Sequence, residues 1–94
     1  MARGTTWNAY ESVTVTGTAG GLTTATIAGQ RNALITVETA QIRFTVDGTT
    51  ATTSVGHILN VGDVLELDSF EAMTDFSAIR TGGTSGTIRC SYGY

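Results

Sequence analysis

The sequence predicts an all-β fold, an antiparallel β-sandwich or small jelly roll with at most one short helical turn. Three observations predict it. Short runs rich in Val, Ile, Thr and aromatic residues recur from Val13 to Tyr94. Glycine-bearing turns break them about every 8 to 12 residues, the spacing of sandwiches and small barrels. Strands alternating with long helical patterns, the mark of a parallel α/β sheet, are absent. The chain has 94 residues, enough for one domain and too few for two. Residues 1–10 read as an N-terminal arm and residues 11–94 as the single sandwich domain.

The arm, MARGTTWNAY, shows no periodicity, and polar small residues surround its one tryptophan. Such a segment orders against something else. Two placements are open to Trp7 and Tyr10: back on their own domain, or as anchors on a neighbouring subunit, where Trp and Tyr give large contact area with few rotors. Ser12 to Thr16 then alternates with Val13 and Val15 inward. After a turn at Thr18 to Gly21, Leu22 to Ile27 reads as a β-branched strand. GQRN (Gly29 to Asn32) is a turn, and Leu34 to Glu38 a mostly buried strand. Ile42 to Val46 alternates most cleanly, with Ile42, Phe44 and Val46 toward the core and Arg43 and Thr45 outward. Asp47-Gly48 is a strong turn dipeptide, and TTATTS after it reads as an exposed loop.

Gly56 to Asn60 brings His57 beside Ile58 and Leu59, and Gly62-Asp63 turns the chain into a strand over Val64 to Asp68 with Leu67 buried. Ser69 to Phe76 is the one plausible helical turn, capped by Ser69, with Phe70, Met73 and Phe76 on its apolar side. Ser77 to Thr81 is a strand with Ile79 inward. GGTSG is a hairpin tip, and Thr87 to Tyr92 is the closing strand, with Ile88, Cys90 and Tyr92 on one face.

Composition narrows the function classes. Charged residues make up 14% of the chain, far below the usual quarter, and roughly a fifth of it is threonine. The net charge is -3, and the five basic residues, all arginine, are dispersed. No basic stripe of the kind that displaces phosphate counterions is present, so no nucleic-acid partner is expected. Arginine's planar fork suits a partner's carboxylate, which makes Arg43, Arg80 and Arg89 contact candidates; ordinary strand-face charges are the alternative. No apolar h-region or membrane-length stretch occurs, so neither a signal peptide nor a membrane partner is expected.

The same residues argue against catalysis. One cysteine, Cys90, leaves no internal disulfide framework and reads as a buried small hydrophobe. His57 is the only imidazole, so a zinc site lacks its usual ligands. Asp47, Asp63 and Asp68 sit beside turns, where aspartate more commonly serves turn chemistry than a cation. No phosphate loop or G-x-S-x-G elbow is present. An enzyme is not expected, and neither is a metal or cofactor. HILNVGDVLEL is similar to the GD turns of jelly-roll proteins such as cupins, without their histidine cluster.

From Ala33 to Tyr94, about two-thirds of the chain, the sequence resembles a group of small β proteins encoded among the structural genes of tailed bacteriophages. ALITVETAQIRFTVDGTT, SVGHILNVGDVLELD, FSAIR and GTIRCSYGY carry the likeness: a hairpin, a DG turn, a G-H-x-L segment, a GD turn and a terminal Y-G-Y strand. The resemblance implies a virion structural protein, made in the host cytoplasm. Its most concrete form is a capsid decoration (cement) protein that binds the major capsid protein, often as a trimer. A head–tail or tail accessory component is the next form. The contact candidates are then Arg3, Trp7 and Tyr10 in the arm and Tyr92 and Tyr94 at the C-terminus, with core or rim packing as the other role for the tyrosines. A carbohydrate-binding module is the rival, if the termini bring Trp7, Tyr10, Tyr92 and Tyr94 together.

Overall fold

The alternating segments pair into two antiparallel sheets in a computed structural model that describes residues 5–94. Arg3, an expected contact residue, lies outside the described residues. The strands are β1 (Trp7–Val15), β2 (Asn32–Glu38), β3 (Ile42–Thr45), β4 (His57–Leu59), β5 (Val64–Leu67), β6 (Ser77–Arg80) and β7 (Gly86–Gly93). One sheet has the order β1-β7-β2-β5 and the other β4-β3-β6. The expected all-β sandwich is what forms. Its Cα radius of gyration of 12.2 Å matches the ~12 Å of a compact chain this long.

The core is where the period-two faces of both sheets meet. Ala33, Ile35 and Val37 of β2 and Ile88, Cys90 and Tyr92 of β7 supply one side. Ile42, Phe44, Leu59 and Ala78 supply the other, and Leu67 and Val15 complete it. Burying side chains of this size stabilises the fold by roughly 1.5–3 kcal/mol each. Helix α2 (Phe70–Asp75) closes one end with Met73, which is wholly buried. Ser69 caps it as expected, its hydroxyl accepting from the Ala72 N–H at 3.1 Å.

Several local expectations are corrected. Leu22 to Ile27 is not a strand: Thr24–Ile27 forms a single helical turn, α1. The reason is tertiary. Glu11 Oε2 accepts from the Thr23 N–H at 3.1 Å, while Leu22 and Ile27 plug into the core, so the segment packs against β1 and α2 instead of pairing. Ala78, opposite Phe44, joins the main core, and Ile79, opposite Arg43, is buried on the other face. Phe70 is exposed on the outer side of α2. In the TTATTS loop Ala51 is buried, its N–H bonded to Ser77 Oγ at 3.1 Å.

The expected boundary of the arm at residue 10 is also corrected. Strand β1 reaches back to Trp7, so Trp7 and Tyr10 belong to the sheet. Their stretch has few β-branched residues, and pairing with β7 holds it extended.

Candidate functional site

The two ends of the chain zip together, and Trp7, Tyr10, Arg89 and Tyr94 of the contact candidates lie there, whereas Arg43 and Arg80 lie elsewhere. Thr6 N donates to Tyr94 O at 2.8 Å and Tyr94 N donates to Thr6 O at 3.2 Å. Trp7 faces Gly93, and the register then shifts so that Ala9 faces Tyr92. This bulge adds one residue, Asn8. It sets Trp7 on the same outer face as Tyr10, three positions on, where strict alternation would oppose them. Gly93 permits the closure: a Cβ there would stand 2.5 Å from the Thr6 carbonyl oxygen.

The result is a shallow patch on the outside of the four-stranded sheet. Trp7 (47% exposed) and Tyr10 (58%) border a depression with Asn8, Ala9 and Ser91. Arg89 lies beside it. Its Nη1 donates to the Tyr10 hydroxyl at 3.1 Å and its Nε to Glu38 Oε1 at 3.2 Å. The Tyr10 hydrogen bond and then that of Glu38 push the Arg89 guanidinium above its ordinary range. Tyr94 is exposed at the same end. By strand alternation it follows Gly93 onto the opposite face from Trp7.

Tyr92 is not a contact residue. It is wholly buried, and its hydroxyl donates to Glu11 Oε2 at 2.5 Å. The Thr23 hydroxyl donates to Glu11 Oε1, also at 2.5 Å. Glu11 thus ties β7 and the α1 segment to β1 through charge-assisted bonds. Burial, and then that hydrogen bond, push the Tyr92 phenol well above its usual range. Alternation with Ile88 and Cys90 was the signal for this inward placement.

Two of the arginine candidates are used internally. Arg43 Nη1 donates to Gly56 O at 2.7 Å and its Nε to Thr53 O at 3.0 Å, so it clamps the long β3–β4 loop. Arg80 Nη1 donates to Ser85 Oγ at 3.2 Å and braces the GGTSG segment, which is not the expected hairpin tip but a crossover, since β6 and β7 lie in different sheets. Sequence reasoning missed both clamps, because the acceptors lie on loops whose path is set by tertiary contacts. Asp47 shapes the start of that long loop: the Thr49 N–H holds its carboxylate below the usual value.

The thiol is withdrawn from solvent, whereas the imidazole is exposed on β4. Cys90 is wholly buried, and burial pushes its thiol up to about 11, so almost no thiolate forms near neutrality. His57 packs against Phe44, with ring centroids 5.4 Å apart. Among the described residues no group of three or more His, Cys, Asp and Glu side chains is placed to hold a metal ion. No helix is long and apolar enough to cross a membrane. Comparison with family models, curated proteins and solved structures finds no match for this chain.

Proposed function

We propose that this chain is a bacteriophage virion structural protein, most concretely a capsid decoration protein that binds and stabilises the mature head. The supporting observation is the exposed patch at the zipped termini. Trp7 and Tyr10 stand on one outer sheet face of a small domain with Tyr94 at its end, while Cys90 and Tyr92 are sealed in the core. Exposed rigid aromatics are the anchors from which protein interfaces draw most of their affinity. The resemblance of Ala33 to Tyr94 to phage structural proteins supplies the class of partner, the major capsid protein.

The mechanism is mass action. A subunit with higher affinity for the expanded shell than for its precursor stabilises the expanded state by that difference. Repetition over many copies lets weak single contacts sum to avidity. The test is to mix the purified protein with expanded capsids that lack it and image the pelleted particles by cryo-electron microscopy. Ordered density at symmetry positions, lost on the double change Trp7→Ala and Tyr10→Ala, is the expected result. Bare capsids exclude decoration and direct the search to the head–tail junction and tail.

The polar Asn8, Ser91 and Arg89 around the two aromatics favour one further reading, a saccharide laid across the patch. Trp7 is the only tryptophan, so its fluorescence across a glycan panel reports on this patch alone. An unchanged spectrum removes that reading.

A further inference from the structure

The sandwich has four sheet edges, and three of them are blunted. Strand β4 is only three residues long. Strand β5 has four residues, includes Glu66 and is flanked by Asp63 and Asp68. Strand β6 is covered: Ala78 N donates to Gly20 O at 2.8 Å, Gly20 N to Ala78 O at 3.0 Å and Arg80 N to Thr16 O at 3.0 Å. Short length, acidic side chains and a covering segment are standard ways to stop a sheet from growing.

Strand β1 has none of these. It is nine residues long, and among the described residues β7 is its only strand partner. It contains no proline and no basic residue, and its one charge, Glu11, is engaged by Tyr92 and Thr23. Past the bulge the register runs unbroken from Ala9 to Val15, and Tyr10, Ser12 and Thr14 are exposed and uncharged. A regular, neutral edge of this length is a template for another strand.

We propose that β1 pairs antiparallel with β1 of a second copy about a two-fold axis through Ser12, joining two four-stranded sheets into one of eight. The choice of occupant follows from the strand itself. Ser12 is the midpoint of the regular run, so this register uses all of Ala9 to Val15. It sets Tyr10 opposite Thr14, Glu11 opposite Val13 and Ala9 opposite Val15, with no like charges facing each other. Aromatic against β-branched is a favourable cross-strand pair. Charge agrees with this arrangement: at a net charge of -3, copies repel each other least when the acidic β5 edges lie farthest apart. Pairing through β1 places them at the two ends of the joined sheet.

The inner side of the same edge is also open. A groove of about 250 Å³ runs along it, lined by Val13, Val15, Phe76, Ala78 and Ile88 and by Thr14, Thr16 and Thr18. A second copy on β1 would lie beside this groove. The contact is isologous and closes on itself, so β1 alone gives a pair and not the trimer that the phage resemblance implies. The inference concerns the free protein and stands whether or not the chain decorates a capsid.

The test uses the full chain in solution. Sedimentation velocity over a roughly hundredfold concentration range should show a monomer–dimer equilibrium, because the population of a homodimer follows protomer concentration. Ser12→Lys brings two ammonium groups together on the axis and should weaken the dimer at least about tenfold with unchanged far-UV circular dichroism. Ser12→Cys should cross-link under mild oxidation, since Cα atoms opposed across an antiparallel pair lie about 4.5–5.5 Å apart, within disulfide reach. The buried Cys90 does not compete. A monomer at every concentration overturns the proposal. So does a trimer, or a dimer that withstands Ser12→Lys and leaves the Ser12→Cys thiols free.

Discussion

The two edges of the four-stranded sheet, β1 and β5, are built from opposite principles. Strand β5 is four residues long and carries acidic side chains on and around it, both features that blunt a sheet edge. Strand β1 is nine residues long and turns its single carboxylate inward, where Tyr92 and Thr23 hold it. On β5 Asp63 also holds its turn, accepting from the Asn60 N–H at 2.8 Å, yet the carboxylates stay on the exposed side of the edge. On β1 the one charge serves cohesion, which leaves the outer edge neutral and its backbone ready for pairing. The difference teaches that the exposure of a charge, more than its presence, decides whether an edge is protected.

Breaking the inward anchor should have the largest effect. Tyr92→Ala removes a wholly buried ring and strands Glu11 without its phenol donor. We expect a loss of about 3–5 kcal/mol in denaturant unfolding, the range for deleting a large aromatic from a core. Amide exchange should rise more along β1 than along β5, because only β1 is tied through Glu11. Tyr92→Phe isolates the hydrogen bond and should lose about 1.5–3 kcal/mol, since the acceptor is a carboxylate. Equal exchange at the two edges would show that Glu11 does not anchor β1.

Alkaline pH should expose the same asymmetry. The folded protein raises the Cys90 thiol from 9.0 to about 11 and also raises the Tyr92 phenol. Both groups are neutral when protonated, so above pH 9 the unfolded chain releases protons that the folded chain retains. The stabilisation is therefore complete below pH 9 and lost as pH rises, from Cys90 first and from Tyr92 above 10. The Cys90 share is about 2–3 kcal/mol between pH 9 and 11. Cys90→Ala should flatten the first part of that decline in pH-dependent unfolding. An unchanged slope would assign the decline to other groups.

How far this contrast could be read in advance differs between the edges. Strand β5 was legible from Val64 and Leu67 after the GD turn, and the closing strand from Ile88, Cys90 and Tyr92. Local chemistry also located the α2 cap at Ser69. The start of β1 is not legible, because WNAYE has no β-branched residue and mixes two aromatics with poor strand formers, and it is held extended by pairing with β7, some eighty residues away in sequence. The α1 turn was misread for a related reason: its threonines favour a strand, but Glu11 and the core fix the segment in another role. In the candidate site, the sequence singles out Trp7, Tyr10 and Tyr94 but leaves packing and contact both open, and only the fold exposes them. Their arrangement depends on the Asn8 bulge and on Gly93, which no short-range signal marks.

Gly93 offers a smaller perturbation of the β1 side. Gly93→Ala forces Thr5 and Thr6 off the C-terminal strand, since the new methyl would meet the Thr6 carbonyl oxygen. The cost should be about 1–2 kcal/mol, the lower part of the range for overpacking, because the segment lies at a chain end and can yield. Trp7 fluorescence should shift as its strand end loosens. An unshifted spectrum would mean that the patch is held by Ala9 onward and needs no closure at Thr6.

The smallest effect belongs to β5, and it completes the contrast. Val64 is 58% exposed and pairs with Thr36, so it contributes area to the surface and little to the core. Val64→Lys should change unfolding stability by no more than about 0.5 kcal/mol, as exposed substitutions generally do. It should also leave the sedimentation profile unchanged, because the β5 edge already repels its own kind through Asp63, Glu66 and Asp68. The same residue type placed at Ser12 should split the dimer. If lysine at both positions alters assembly equally, long-range charge and not edge geometry governs association, and raised salt should then shift both variants together within the Debye screening length. If only the β1 substitution acts, and raised salt relieves that variant alone, the neutral edge is the interface.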